Sequence, residues 1–155
     1  MIESRFRSVV ITGASSGLGR ALAQRFSAPD VSIALGGRDP IRLREAAEAC
    51  RARGAEPSPS VIDVTDAIAT ADWVQAADRA RNVDLVIACA GISGEAAVPG
   101  GGPAFSRQIH HTNVIGALNT IEPLLPAMRA RRRGQIAVIA SAAGYRGFAR
   151  AASYS

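Results

Sequence analysis

Near the N-terminus, the segment Thr12-Gly13-Ala14-Ser15-Ser16-Gly17-Leu18-Gly19 sets glycines and hydroxyls between a β-branched apolar run and a helical pattern. In that setting a glycine pattern becomes a phosphate site, because backbone N–H groups at the start of a helix face an anion without needing a side-chain cation. Gly13 can take a left-handed turn, Gly17 lets the backbone approach a pyrophosphate, and Gly19 lets the helix pack on the strand. The amides around Ser15 to Leu18 are then the cradle. A mononucleotide loop ending in Gly-Lys-Ser or Gly-Lys-Thr is removed, since the chain has no lysine. The glycines recur at spacings of four and two, so the loop reads as a dinucleotide site with one of the less common fingerprints.

The end of the second strand is where such a site discriminates between NAD and NADP, through a carboxylate on the ribose 2′-hydroxyl or a cation on the 2′-phosphate. Here it reads Gly36-Gly37-Arg38-Asp39. Asp39 stands directly before Pro40 and is taken up as a helix cap. Arg38 offers a planar fork to a phosphate dianion, and Ser15 or Ser16 can add a hydroxyl. The sequence therefore predicts NADP, with NAD as the alternative. Other polar residues are plainer when taken singly. Asp63 reads as a strand-end cap, Asn113 as a mid-helix residue pointing to solvent, and Ser141 as a loop hydroxyl. His110 and His111 are adjacent on one helix and cannot share a face, so they read as packing or surface residues. No metal site is expected.

Apolar runs and helical patterns alternate along the whole chain, the signature of βαβ units and a parallel sheet. The first strand is Ser8 to Thr12, followed by a helix to about Ala28. Val31 to Leu35 is the second strand, and Asp39-Pro40 opens a helix to about Arg53. Ser60, Val61 and Ile62 lead the third strand into Asp63, and a helix runs from Asp66 to about Ala80. The fourth strand, Val83 to Ala88, ends in Cys89-Ala90-Gly91. Ser93 to Pro103 reads as a flexible loop. A long helix from Phe105 to Arg132 should bend near Glu122, where Pro123 and Pro126 interrupt it. Gln135 to Ala140 is the fifth strand, and a new helix begins in the tail.

With 155 residues and 16.0 kDa the chain has the size of one domain. Hydrophobic residues reach 48%, but 31 are Ala, so the core is modest. The expected compartment is the cytoplasm: no apolar run would span a bilayer, Glu3, Arg5 and Arg7 interrupt any secretory signal, and Cys50 and Cys89 suggest no disulfide framework. The net charge is +5 and all 18 basic residues are Arg. Arg129, Arg131, Arg132 and Arg133 stand before Gly134 at a helix end, where cations suit the dipole and Gly caps. That run reads as a solvated helix terminus, and without interleaved aromatics no nucleic-acid partner is expected.

The Thr-Gly-x-x-x-Gly-x-Gly spacing resembles that of the short-chain dehydrogenases/reductases, and further matches follow in order along the chain. Asp63-Val64 resembles the family's adenine-binding segment, and Cys89-Ala90-Gly91 stands where the family has Asn-Asn-Ala-Gly, with Ala88 and Cys89 replacing the asparagines. Asn113, Ser141 and Tyr154 fall at the positions of the catalytic Asn, Ser and Tyr. The resemblance implies a Rossmann-like, doubly wound parallel sheet of about five strands in the order 3-2-1-4-5 with helices on both faces. It implies an oxidoreductase that moves hydride between a nicotinamide and a small carbonyl or alcohol substrate. Tyr154 would be the general acid/base, Ser141 would bind the substrate oxygen, and Asn113 would anchor a water. The cofactor would contact Gly13, Ser15, Ser16, Gly17, Leu18, Gly19, Arg38, Asp63, Val64, Ala90 and Gly91. A free tyrosine titrates near ~10, so this chemistry needs a cation beside it, in the family a lysine four residues on. The sequence stops at Ser155. It is expected to be an incomplete dinucleotide-binding domain, without the family's C-terminal strands and helices. Such a chain would hold the ADP half of the cofactor but turn over poorly, with a homo-oligomeric parent. The alternative is a non-catalytic NAD(P)-binding sensor or partner-binding module.

Overall fold

In the computed structural model, the described residues are 6–93, 103–147 and Tyr154. Val9, Val10 and Ile11 are almost fully buried, as a central parallel strand requires, and they form β1 (Ser8–Thr12). Around it a single parallel sheet takes the order β3-β2-β1-β4-β5, with β2 (Ser32–Gly37), β3 (Glu56–Val61), β4 (Leu85–Ala88) and β5 (Gln135–Val138). The strand order reverses beside β1, as the resemblance implied.

Alternation along β1 builds a core on each face. Val9 and Ile11 pack with Leu35, Leu43, Ala46 and Cys50 under α1 (Gly17–Phe26) and α2 (Pro40–Arg51). Val10 packs with Val74 of α3 (Ala67–Ala80) and with Leu124 and Met128 on the far side. Among the described residues no helix is long and apolar enough to cross a membrane.

The third strand begins four residues earlier than the pattern suggests, at Glu56, and it contains Pro57 and Pro59. Glu56 N donates to the Val31 carbonyl (2.8 Å) and Ile62 N to that of Gly37 (2.9 Å), so even-numbered residues face β2. Both prolines therefore lack an N–H only where it would point off the edge of the sheet, the one place a strand tolerates them. β5 forms the opposite edge, with Ile136 and Val138 exposed. The fourth strand starts at Leu85 rather than Val83, because Val83 N is held instead by the Asp78 carboxylate (2.7 Å).

The long helix is segmented. It runs through α4 (Pro103–His110), a π-helical turn (His111–Ile115), α5 (Gly116–Ile121), a 3-10 turn (Glu122–Leu124) and α6 (Leu125–Ala130). The prolines produce the break at Glu122, whereas nothing in the hydrophobic pattern announces the π turn. At its end Arg129, Arg132 and Arg133 are exposed, as a solvated terminus predicts, but Arg131 is not. The Arg131 guanidinium is bidentate on Asp78 (2.8 and 3.0 Å) and also donates to the Val83 carbonyl (2.8 Å). The left-handed residue that ends the helix is Arg132 (φ 51°).

Candidate functional site

Parallel strands deliver all their C-terminal ends to one edge of the sheet. The residues singled out from the sequence follow those ends: Gly13 to Gly19 after β1, Arg38 after β2, Asp63 and Val64 after β3, Ala90 and Gly91 after β4, and Ser141 after β5. The crevice between β1 and β4, where the strand order reverses, is where doubly wound sheets bind ligands.

The glycine loop leaves β1 with Gly13 at φ +69° and enters α1 with Gly17 at φ +50°. A Cβ on Gly19 would lie 2.2 Å from the Gly13 carbonyl oxygen, so only glycine lets α1 start this close to the loop. Nothing lies within 4 Å of where a Cβ on Gly17 would stand, so open space borders the backbone there. The N-terminus of α1 is also uncapped: Ser16 makes no side-chain hydrogen bond and the first turn holds no acid. By contrast, Asp39 caps α2 by accepting from Ile41 N and Arg42 N (both 3.0 Å), and Asp66 caps α3 through Ala69 N (3.0 Å). Helices α2 and α3 thus bring their own anion, while α1 presents free N–H groups and the positive end of its dipole to the crevice. A pyrophosphate fits that cradle. An open cavity of about 510 Å³ adjoins it, lined by Ser15, Ser16, Arg20, Asp39 and Arg42.

Thr12 has a part the sequence did not reveal. Its hydroxyl accepts from Cys89 N (3.1 Å) and Ala90 N (3.2 Å), tying the ends of β1 and β4 together. The segment after β4 is thereby held although Ala88 and Cys89 carry no amide. Burial pushes the Cys89 thiol above its ordinary pKa of 9.0 and so disfavours the thiolate. Cys50 is fully buried. The native chain is therefore expected to show no fast thiol toward Ellman's reagent at pH 7, and a stoichiometric rapid phase would contradict this packing.

Asn113 lies on the π turn, and its carboxamide does not point to solvent. Oδ1 accepts from Ile92 N and Nδ2 donates to the Ile92 carbonyl, both at 2.9 Å, so the amide seals the backbone just past Gly91. The extra residue in the turn, marked by the Gly116 N to His111 carbonyl bond, sets the helical phase at Asn113. Gly91 and Ser141 each stand three residues beyond the registered pair Ala88 and Val138. Ser141 Oγ accepts from Ala143 N (3.2 Å) and caps a 3-10 turn (Ala142–Gly144). Tyr154 is half-buried. Residues 148–153 beside it, and 94–102 of the expected Ser93 to Pro103 loop, lie outside the described residues. Histidines 110 and 111 are exposed, and His110 Nδ1 bonds the Ser106 carbonyl (2.8 Å).

Asp63 is exposed, yet its carboxyl is held below the ordinary value of 3.8. The main cause is the hydrogen bond from Thr65 N, which burial opposes, with lesser help from the Thr65 hydroxyl, Arg38 and His111. Arg38 is exposed at the end of β2, on the same rim.

A family model described as short chain dehydrogenase matches residues 7–155. An "Uncharacterized oxidoreductase" of Myxococcus xanthus is 38% identical over 156 residues, covering 100% of this chain and 62% of that protein. NAD+-bound xylitol dehydrogenase superposes with a TM-score of 0.87 at 28% identity, over 96% of this chain and 58% of its own. A metagenomic short-chain oxidoreductase in complex with NADP gives 0.85 at 27% identity, over 96% and 67%. The chain spans less than two thirds of the length of the curated relatives it matches.

Proposed function

The chain belongs to the short chain dehydrogenase family, and from that premise we propose that it serves an NADP-dependent oxidoreductase acting on a small carbonyl or alcohol substrate. The observation that carries the reading is the uncapped N-terminus of α1 behind a glycine loop with open space at Gly17. It is a cradle for a pyrophosphate that no side chain fills. Relatives of like fold hold NAD+ or NADP. When bound, the nicotinamide supplies a hydride donor or acceptor.

Gly13, Ser15, Ser16, Gly17, Leu18 and Gly19 would hold the diphosphate, Asp63 and Val64 the adenine, and Ala90 and Gly91 the adjoining ribose. Tyr154 would exchange a proton with the substrate oxygen, Ser141 would donate a hydrogen bond to it, and Asn113 would fix the wall beside Gly91 and a water near it. Arg38 is assigned to the 2′-phosphate because Asp39, the acid next to it in the sequence, already spends one oxygen on two backbone amides. Its other oxygen lies 3.4 Å from Arg42 Nε.

Calorimetric titration with NADPH and NADH tests the reading. Arg38→Ala is expected to weaken NADPH about ten- to hundredfold, the scale of a lost charge-assisted hydrogen bond. NADH should change by less than about twofold, because it carries no phosphate at that position. Equal losses for both would remove the NADP assignment, and absence of heat with either cofactor would remove the dinucleotide reading altogether.

A further inference from the structure

Opposite the glycine loop, the segment that follows β3 is gripped by a helix that contributes no proposed cofactor contact. Val64 is only 5% exposed although it sits in the turn between β3 and α3. Gly116 of α5 lies so close that a Cβ there would come within 2.5 Å of Val64 Cγ2. One turn along α5, Asn119 Nδ2 donates to the Val64 carbonyl (2.9 Å). The same peptide unit points the other way through its N–H: Thr65 N donates to Asp63 Oδ1 (3.0 Å), and the Thr65 hydroxyl donates to that oxygen as well (2.8 Å). Two further bonds reach the Asp63 carbonyl, from Asp66 N (3.0 Å) and the Thr70 hydroxyl (3.4 Å).

These bonds form a chain from the Asn119 amide, through the Val64–Thr65 peptide, to the Asp63 carboxylate. A peptide whose carbonyl accepts a hydrogen bond becomes a better N–H donor, and a peptide fixed at both ends cannot rotate. We infer that Asn119 is a positioning residue for the adenine subsite, acting on Asp63 through the Val64–Thr65 peptide plane. The inference rests on the proposed assignment of Asp63 and Val64 to the adenine. Asn119 touches no cofactor in this scheme. Its effect is to fix the peptide whose N–H, together with the Thr65 hydroxyl, aims an exposed carboxylate.

The test uses 5′-AMP, which carries the adenine end alone, and nicotinamide mononucleotide, which carries the other. In the full chain, Asn119→Ala is expected to weaken AMP about five- to tenfold and to leave nicotinamide mononucleotide unchanged. Asn119→Asp keeps the shape but replaces the donor with a carboxylate facing a carbonyl, and should weaken AMP at least as much. An NMR titration of the Asp63 carboxyl supplies a readout that mere loss of packing would not move. Its midpoint should rise in Asn119→Ala, while Arg38 and His111, the charged and titratable groups that face Asp63, remain in place. Asp63→Ala separates the two layers. If Asp63→Ala lowers AMP affinity but neither Asn119 variant does, the positioning role is overturned. An unmoved Asp63 midpoint, or equal losses for AMP and nicotinamide mononucleotide, would overturn it too. If Asp63→Ala itself leaves AMP affinity intact, the adenine assignment is what falls.

Discussion

Gly19→Ala is expected to abolish measurable cofactor binding and to lower the stability of the chain by about 2–3 kcal/mol, at the upper end for overpacking a tight site. The added methyl would sit 2.2 Å from the Gly13 carbonyl oxygen, 2.7 Å from its carbon and 3.2 Å from Ala14 N. All three are backbone atoms, so no side chain can swing aside. Nor can the loop retreat: a Cβ at Gly13 would already meet Ala90 and Cys89 at 3.0 Å, and Ala14 N is bonded to the Gly36 carbonyl (3.0 Å). The remaining relaxation lifts α1 off the sheet, which moves the N–H groups of the cradle and opens the packing around Ala23. Gly17→Ala is the control. It meets nothing within 4 Å and carries only the cost of a left-handed alanine, about 1 kcal/mol. Chemical denaturation and calorimetry with NADPH and NADH read the two effects. A Gly19→Ala chain with wild-type midpoint and affinity would mean that α1 does not seat on the loop as described.

What the sequence discloses and what it withholds divide along a physical line. Features that depend on one stretch of chain are legible. The β-branched run at Val9 to Ile11, the glycine loop and the Asp39-Pro40 cap each declare themselves within a few residues, and β1 begins and ends where the pattern places it. The chain-wide βαβ alternation together with the family resemblance carries the sheet order. Features that depend on a partner far along the chain are not legible. Pro57 and Pro59 argue against a strand until the neighbour is known and their missing N–H groups are seen to face outward. The π turn has no signature in hydrophobic period, because one inserted residue shifts the phase by less than a mixed pattern can reveal. Asn113 looks like a solvated mid-helix polar residue until the carboxamide finds Ile92, 21 positions earlier. Thr12 was visible as the first residue of the glycine motif, but its bonds to Cys89 and Ala90 reach across strands. Asn119 gave no signal at all: its value lies in the carbonyl of Val64, 55 positions away.

Within the arginine run, Arg131 is the sharpest case of a local reading overruled, and it yields the second large prediction. Arg131 and Asp78 have side chains only 19% and 12% exposed. The guanidinium forks onto both carboxylate oxygens and reaches the Val83 carbonyl, while Asp78 Oδ1 also accepts from Val83 N. One pair thus joins the end of α6, the C-terminal turn of α3 and the entry to β4. Removing the cation leaves a carboxylate and a carbonyl short of partners in a site that water reaches poorly. Arg131→Ala is therefore expected to lose about 3 kcal/mol in chemical denaturation, the lower end for breaking a buried pair because a fifth of the side chain is solvated. Arg131→Lys keeps the charge without the planar fork and should lose roughly half as much. Two residues on, Arg133 pairs with Asp84 at 3.0 Å but is 69% exposed. Asp84 Oδ2 also accepts from Arg7 N (2.8 Å) and Ser8 N (3.2 Å), so the carboxylate stays satisfied without the guanidinium. Arg133→Ala should therefore cost less than about 1 kcal/mol, like other surface pairs. Both arginines lie at the end of the sheet opposite the glycine loop, so neither variant should alter cofactor affinity once the chain is folded. Equal and small losses at 131 and 133 would return Arg131 to the solvated helix end that the rest of the run forms.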